Sequence, residues 1–162
     1  MNCQNCGAVM KFIDGRNYFV CQYCTSFQFP ATANKSPDGV TLLSERSELL
    51  CPVCALPLAG GAIDGQHILF CQNCRGVLAT NANFATIIKL RRAAHEGPNE
   101  IPAPLDPEQL QRHVRCPACR SPMAVHPYYG PGSVVVDTCP DCHLIWLDHG
   151  EIGVIQKAPG NR

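Results

Sequence analysis

Twelve cysteines fall into six Cys-x-x-Cys pairs, and no other feature of this chain limits its folding so severely. Taken two by two, the pairs bound three segments: Cys3 and Cys6 with Cys21 and Cys24, Cys51 and Cys54 with Cys71 and Cys74, and Cys116 and Cys119 with Cys139 and Cys142. Each segment spans roughly 25–40 residues, too few for a hydrophobic core alone to hold a fold. Cysteine must supply the missing stability, as disulfides or as metal ligands. Paired Cys-x-x-Cys knuckles have metal-ligand spacing, and twelve cysteines make three four-thiolate sites with none left over. Three zinc ions are expected, with iron the lesser alternative. Disulfides would need an oxidising compartment. The start Met1-Asn2-Cys3 lacks a basic residue followed by an apolar run, and no stretch nears the ~18 apolar residues of a membrane span. A cytoplasmic protein without membrane association is the expectation.

Between its knuckles each segment carries a β-hairpin pattern. Ile13-Asp14-Gly15 and Ile63-Asp64-Gly65 stand at equal distances before Cys21 and Cys71, and Asp-Gly is a strong hairpin-turn signal. Tyr18-Phe19-Val20, Ile68-Leu69-Phe70 and Val134-Val135-Val136 are the β-prone runs leading into the second knuckles, and Gly130-Pro131-Gly132 supplies the third turn. The fold class is therefore small, metal-stabilised and mainly β: three tandem zinc ribbons, with short helices after the second and third. Thr80 is the expected cap of a helix over 82–95. Asp148, with Glu151 three residues on, has the form of a capping box. Phe27, Phe29 and Pro30 follow the first ribbon, where no helix is expected. The domain reading is ribbon 1 over 1–30, a linker over 31–48 with a helical turn near 44–50, and ribbon 2 with its helix over 49–95. A Pro-rich linker follows over 96–113, with a brief helix over 107–113, and ribbon 3 occupies 114–162.

Ribbon 3 resembles the transcription factor IIB-type zinc-ribbon family. The resemblance rests on Cys116-Pro117-Ala118-Cys119, Met123, Cys139-Pro140-Asp141-Cys142 and Trp146-Leu147-Asp148-His149-Gly150-Glu151-Ile152. Leu144 stands where that family has glycine. Ribbon 2 keeps the glycine as Gly76 but carries Leu78 and Thr80 in place of the tryptophan and aspartate, and ribbon 1 keeps only the knuckles and hairpin. The resemblance implies zinc and a ribbon fold; the family's name suggests transcription, but fold does not settle function.

Four thiolates fill a zinc coordination shell and leave no position for water, so the metals are expected to be structural and the protein not an enzyme. Paired knuckles also build rubredoxin iron sites, while redox Cys-x-x-Cys motifs sit in a βαβ context this chain lacks. Trp146 is expected to pack over the third site rather than to contact a partner, and the six histidines to be solvated or, for His143 and His149, beside the metal shell. Thirteen basic residues balance thirteen acidic ones; three four-thiolate zinc centres would each add about −2 and take the holo protein to roughly −6. General attraction to nucleic acid is not expected. Lys89, Arg91 and Arg92, with Arg112 and Arg115 across the linker, are the candidate phosphate contacts, although cations there also suit a helix C-terminus. Tyr128 and Tyr129, at a hairpin tip, are candidate partner contacts. The leading expectation is a protein-interaction or assembly module, with a nucleic-acid-binding or transcription-associated protein as the alternative and no small-molecule substrate.

Overall fold

The computed structural model describes residues 1–13, 18–28 and 38–160. Ribbon 1 is a three-stranded antiparallel sheet of β1 (Lys11–Ile13), β2 (Tyr18–Val20) and β3 (Phe27–Gln28). Its Asp14-Gly15 turn, and Phe29 and Pro30 beyond it, lie outside the described residues. Its buried core is small: Cys3, Met10 and Cys21, with Ala8, Phe19 and Cys24 packed against them.

Ribbons 2 and 3 are not separate beads. Their strands are β4 (Thr41–Leu50), β5 (Pro57–Ile63), β6 (Gln66–Phe70), β7 (Val77–Thr80), β8 (Ala124–Pro127), β9 (Val135–Cys139) and β10 (Leu144–Leu147). They form one seven-stranded antiparallel sheet in the order β4-β5-β6-β7-β10-β9-β8. The junction is β7 against β10, with Leu144 opposite Thr80, Ile145 opposite Ala79, Trp146 opposite Leu78 and Leu147 opposite Val77. Both strands begin three residues or fewer after the last cysteine of their own ribbon. The register therefore relates the two ribbons by an approximate two-fold axis through the Leu78–Trp146 pair.

Local chemistry accounts for most of the elements. Asp64 and Gly65, at φ 48° and 78°, both take the left-handed conformation that a tight two-residue hairpin loop demands. The Thr80 hydroxyl accepts the Asn83 N–H at 3.1 Å and caps α1 (Asn81–Ala94). Asp106 caps α2 (Pro107–Gln111), which is two residues shorter than expected. Before α3 (Glu151–Lys157), Gly150 at φ 86° takes the cap position expected of Asp148. The carboxylate of Glu151 still reaches back to the Asp148 N–H at 2.8 Å.

Residues 41–48, expected as linker with a helical turn near 44–50, are instead most of β4. Leu, Glu and Arg favour helix in isolation, but the ladder to β5 overrides that preference. The ladder is irregular, with register shifts on both sides of Arg46, and most of the strand is exposed. Such an edge shows neither the alternation nor the apolar run by which strands are recognised.

The two faces of the large sheet do different work. One packs against α1 and α3 through Ile63, Ile68, Val77, Ala79, Phe84, Ile87, Ile145, Leu147, Ile152 and Ile155. The other carries Leu58, Leu78, Met123 and Trp146 among the cysteines of ribbons 2 and 3. No helix among the described residues is long and apolar enough to cross a membrane.

Candidate metal centres

Each ribbon brings its four cysteines together: Cys3, Cys6, Cys21 and Cys24; Cys51, Cys54, Cys71 and Cys74; Cys116, Cys119, Cys139 and Cys142. Within each set all sulfurs lie within 4.8 Å of one another. Tetrahedral ligands about 2.3 Å from zinc stand about 3.8 Å apart. Four of the sulfur pairs lie near that spacing: Cys3–Cys24 at 3.4 Å, Cys6–Cys21 at 3.5 Å, Cys51–Cys74 at 3.7 Å and Cys119–Cys139 at 3.6 Å. The knuckle backbones repeat as well. The N–H groups of Gly7, Thr25, Ala55, Arg75 and Arg120 each return to the carbonyl of the cysteine four residues earlier. Each of these residues has positive φ. The three clusters fit three Zn2+ ions.

Polar neighbours hold the sulfurs. Asn73 donates to Cys54 Sγ at 3.2 Å, and the Val53 and Cys54 N–H groups point at Cys51 Sγ from 3.4 and 3.3 Å. The Ser26 hydroxyl at 3.1 Å and the Ser26 backbone bring the Cys24 thiol down to about 6. Ser121 does the same for Cys119. Both interactions favour the thiolate that a metal requires.

Around the third site lies a charged network that sequence reading missed. Arg112 donates to Asp137 at 2.6 Å and to Asp148 at 2.7 Å, and Trp146 donates its indole N–H to Asp148 at 3.1 Å. Burial works against the Arg112 charge, but the two carboxylates outweigh it and hold the guanidinium above its usual range. Burial also pushes the Asp137 carboxyl up, opposed by Arg112. Trp146 is fully buried, in the packing role expected of it. Its ring lies over Gly76 of the other ribbon, where an added Cβ would fall 2.1 Å from Cζ2.

The candidate phosphate contacts do not form a surface patch. Lys89 is exposed, but Arg92 is buried and donates to the carbonyls of Ile155 at 2.6 Å and Ala158 at 3.0 Å, near the end of α3. Arg91 pairs with Asp64 and donates to the Asp38 carbonyl at 2.9 Å. Arg115 is exposed and bonds the Arg120 carbonyl. Tyr128 and Tyr129 separate: Tyr128 is half-buried edge-on against Phe84, while Tyr129 is 87% exposed and stacks on His126. His149, expected at the surface or beside the metal shell, is buried with its ring 5.6 Å from Tyr18 of ribbon 1.

Fold and sites together define a protein of three zinc ribbons, each with a four-cysteine metal centre. Residues 115–155, about a quarter of the chain, match the family model of the transcription factor zinc-finger, the zinc ribbon of the transcription factor IIB type. No curated protein and no solved structure matches the chain.

Proposed function

We propose that the chain is a non-enzymatic protein-interaction or assembly module, carried on three structural zinc ions. The observation that carries this reading is the inward use of its arginines. Arg92 ties α1 to α3, Arg91 ties α1 to the β5–β6 turn, and Arg112 ties the linker to ribbon 3. A phosphate backbone needs cations free to replace its counterions, and a holo charge of roughly −6 opposes its approach. Four thiolates per zinc leave no position for a substrate or an activated water. The exposed aromatic Tyr129 has the character of a residue that protein partners bury.

The alternative is a nucleic-acid-binding or transcription-associated role, favoured by the family match of ribbon 3. Titration of the zinc-loaded protein with labelled DNA and RNA at several salt concentrations separates the two. The interaction reading expects no binding near physiological salt, together with a specific cross-linked partner from the native host that is lost on Tyr129→Ser. Binding that weakens steeply with added salt would replace it with the nucleic-acid reading.

A further inference from the structure

The three zinc sites are built alike but are not held alike. Among the ligands of ribbon 2 none is exposed, whereas Cys6 in ribbon 1 and Cys119 in ribbon 3 are open to solvent. Sites 2 and 3 share one buried cluster in which Leu78 and Trp146 lie among their cysteines. The seven-stranded sheet runs through both ribbons. Arg112 further braces ribbon 3. Among the described residues the cysteines of site 1 lie in a small core of their own, and none of the described strands of ribbon 1 pairs with the large sheet. Among the described residues ribbon 1 meets the others through aromatic rings: Phe27 packs against the cluster around Trp146, and the buried Tyr18 ring lies tilted between Phe27 at 5.5 Å and His149 at 5.6 Å.

We propose that ribbon 1 is a separately releasable zinc unit. Its zinc exchanges with competing multidentate ligands while those of ribbons 2 and 3 stay bound. Its loss lifts the Tyr18 and Phe27 cap from His149 and from the apolar cluster beside the third site. Two physical reasons converge. A competing ligand can meet the zinc at exposed Cys6 without prior unfolding. And a unit with so small a core opens locally at a fraction of the cost of opening the sheet, because nearly all its folding energy is metal-binding energy. Cys119 offers the same approach in ribbon 3, but that site also holds Cys139, the last residue of β9 within the continuous sheet. Ribbon 1 is thus a zinc-dependent cover over His149 and the apolar cluster of the paired ribbons.

The test uses the full zinc-loaded chain in a reducing buffer challenged with EDTA. Native mass spectrometry counts zinc, and maleimide labelling with peptide mapping locates freed thiols. The expected result is an accumulating two-zinc species labelled at Cys3, Cys6, Cys21 and Cys24, with the first zinc leaving about tenfold faster than the others. Simultaneous loss of all three ions, or earlier labelling within 51–74 or 116–142, would overturn the proposal. A second measurement tests the cover, using the variant Cys6→Ser with Cys24→Ser. It should hold two zinc ions, exchange amide hydrogens faster than wild type over 148–150 beside the capped His149, and keep β6, β7 and β10 protected. Unchanged exchange over 148–150, or loss of protection across the sheet, would refute the cover.

Discussion

Replacing Gly76 by Ala adds one methyl group at the junction of ribbons 2 and 3. An ideal Cβ there lies 2.1 Å from Trp146 Cζ2, 2.5 Å from Cη2 and 3.0 Å from Cε2, all inside the ~3.5 Å at which carbon atoms make their best contact. The indole is fully buried and held by its bond to Asp148, so it cannot turn away cheaply. Overpacking of this kind costs about 1–3 kcal/mol. Without the clash, exchanging Gly for Ala at this position, which does not have positive φ, would stabilise by about 0.4–1 kcal/mol, so the sign of the change is itself diagnostic. Gly153 provides the control, since it lies in α3 with nothing within 4 Å of its would-be Cβ; Gly153→Ala should stabilise by roughly 0.5–1 kcal/mol. The assay is urea unfolding at fixed free zinc, because zinc bound to the folded chain adds its own stabilisation. Gly76→Ala should become nearly neutral when combined with Trp146→Leu, giving a coupling of about 1–3 kcal/mol. A Gly76→Ala protein as stable as wild type, or an equal cost with and without Trp146→Leu, would refute the reasoning.

Arg92→Ala should cost about 2–3 kcal/mol by stranding the buried carbonyls of Ile155 and Ala158, while Lys89→Ala should stay within about 0.5 kcal/mol in the same urea titration. Arg112→Met leaves the buried Asp137 without its cation and should cost about 3–5 kcal/mol at neutral pH. Because burial raises the Asp137 carboxyl, its contribution to stability is present below the unfolded value and is lost as pH rises through the folded one. Removing Arg112 raises it further, so the deficit of Arg112→Met should shrink as pH falls below neutral, read by urea midpoints at each pH. Complete chelation should abolish the β signal in circular dichroism, since a structural zinc of about 10–16 kcal/mol rivals the ~5–15 kcal/mol stability of a whole domain.

The metal ligands, the ribbon 2 hairpin and the Thr80 cap were legible in the sequence because each depends on residues close together in the chain. A Cys-x-x-Cys knuckle, an Asp-Gly turn and a hydroxyl three residues before an amide declare their geometry locally. What was not legible came from pairing at a distance. Strand β4 has no alternating pattern and exists through its ladder to β5. The fates of Arg91, Arg92 and Arg112 were set by partners from 25 to 66 residues away, among them Asp64, Ile155, Ala158 and Asp137. A basic cluster at a helix end looks the same in sequence whether its cations face water or staple two helices together. Gly76 did leave a signal, as a glycine kept in the repeat that lacks the tryptophan, but its use became visible only when the two ribbons were placed together.

That placement gives the departures from the family pattern a common cause. The approximate two-fold axis passes through residues 78 and 146, which stand directly opposite each other on the sheet face that carries the zinc sites. Two tryptophans there would compete for the same space, so one repeat carries Leu78 and the other Trp146. The indole extends over the neighbouring ribbon at position 76, where only a glycine fits. Position 144, the equivalent of 76, faces no indole and holds a leucine that packs against the shared cluster. Leu78, Gly76, Leu144 and Trp146 therefore form a lock that fits one way round. Neither repeat can be exchanged for a second copy of the other, and the chain satisfies its own ribbon-to-ribbon interface. Of the sheet's two edges, β4 is bulged and carries Glu45, Arg46 and Glu48, features that discourage strand-to-strand association. The β7–β10 junction thus joins the two ribbons within one chain, while the irregular, charged β4 edge disfavours addition of a further strand there.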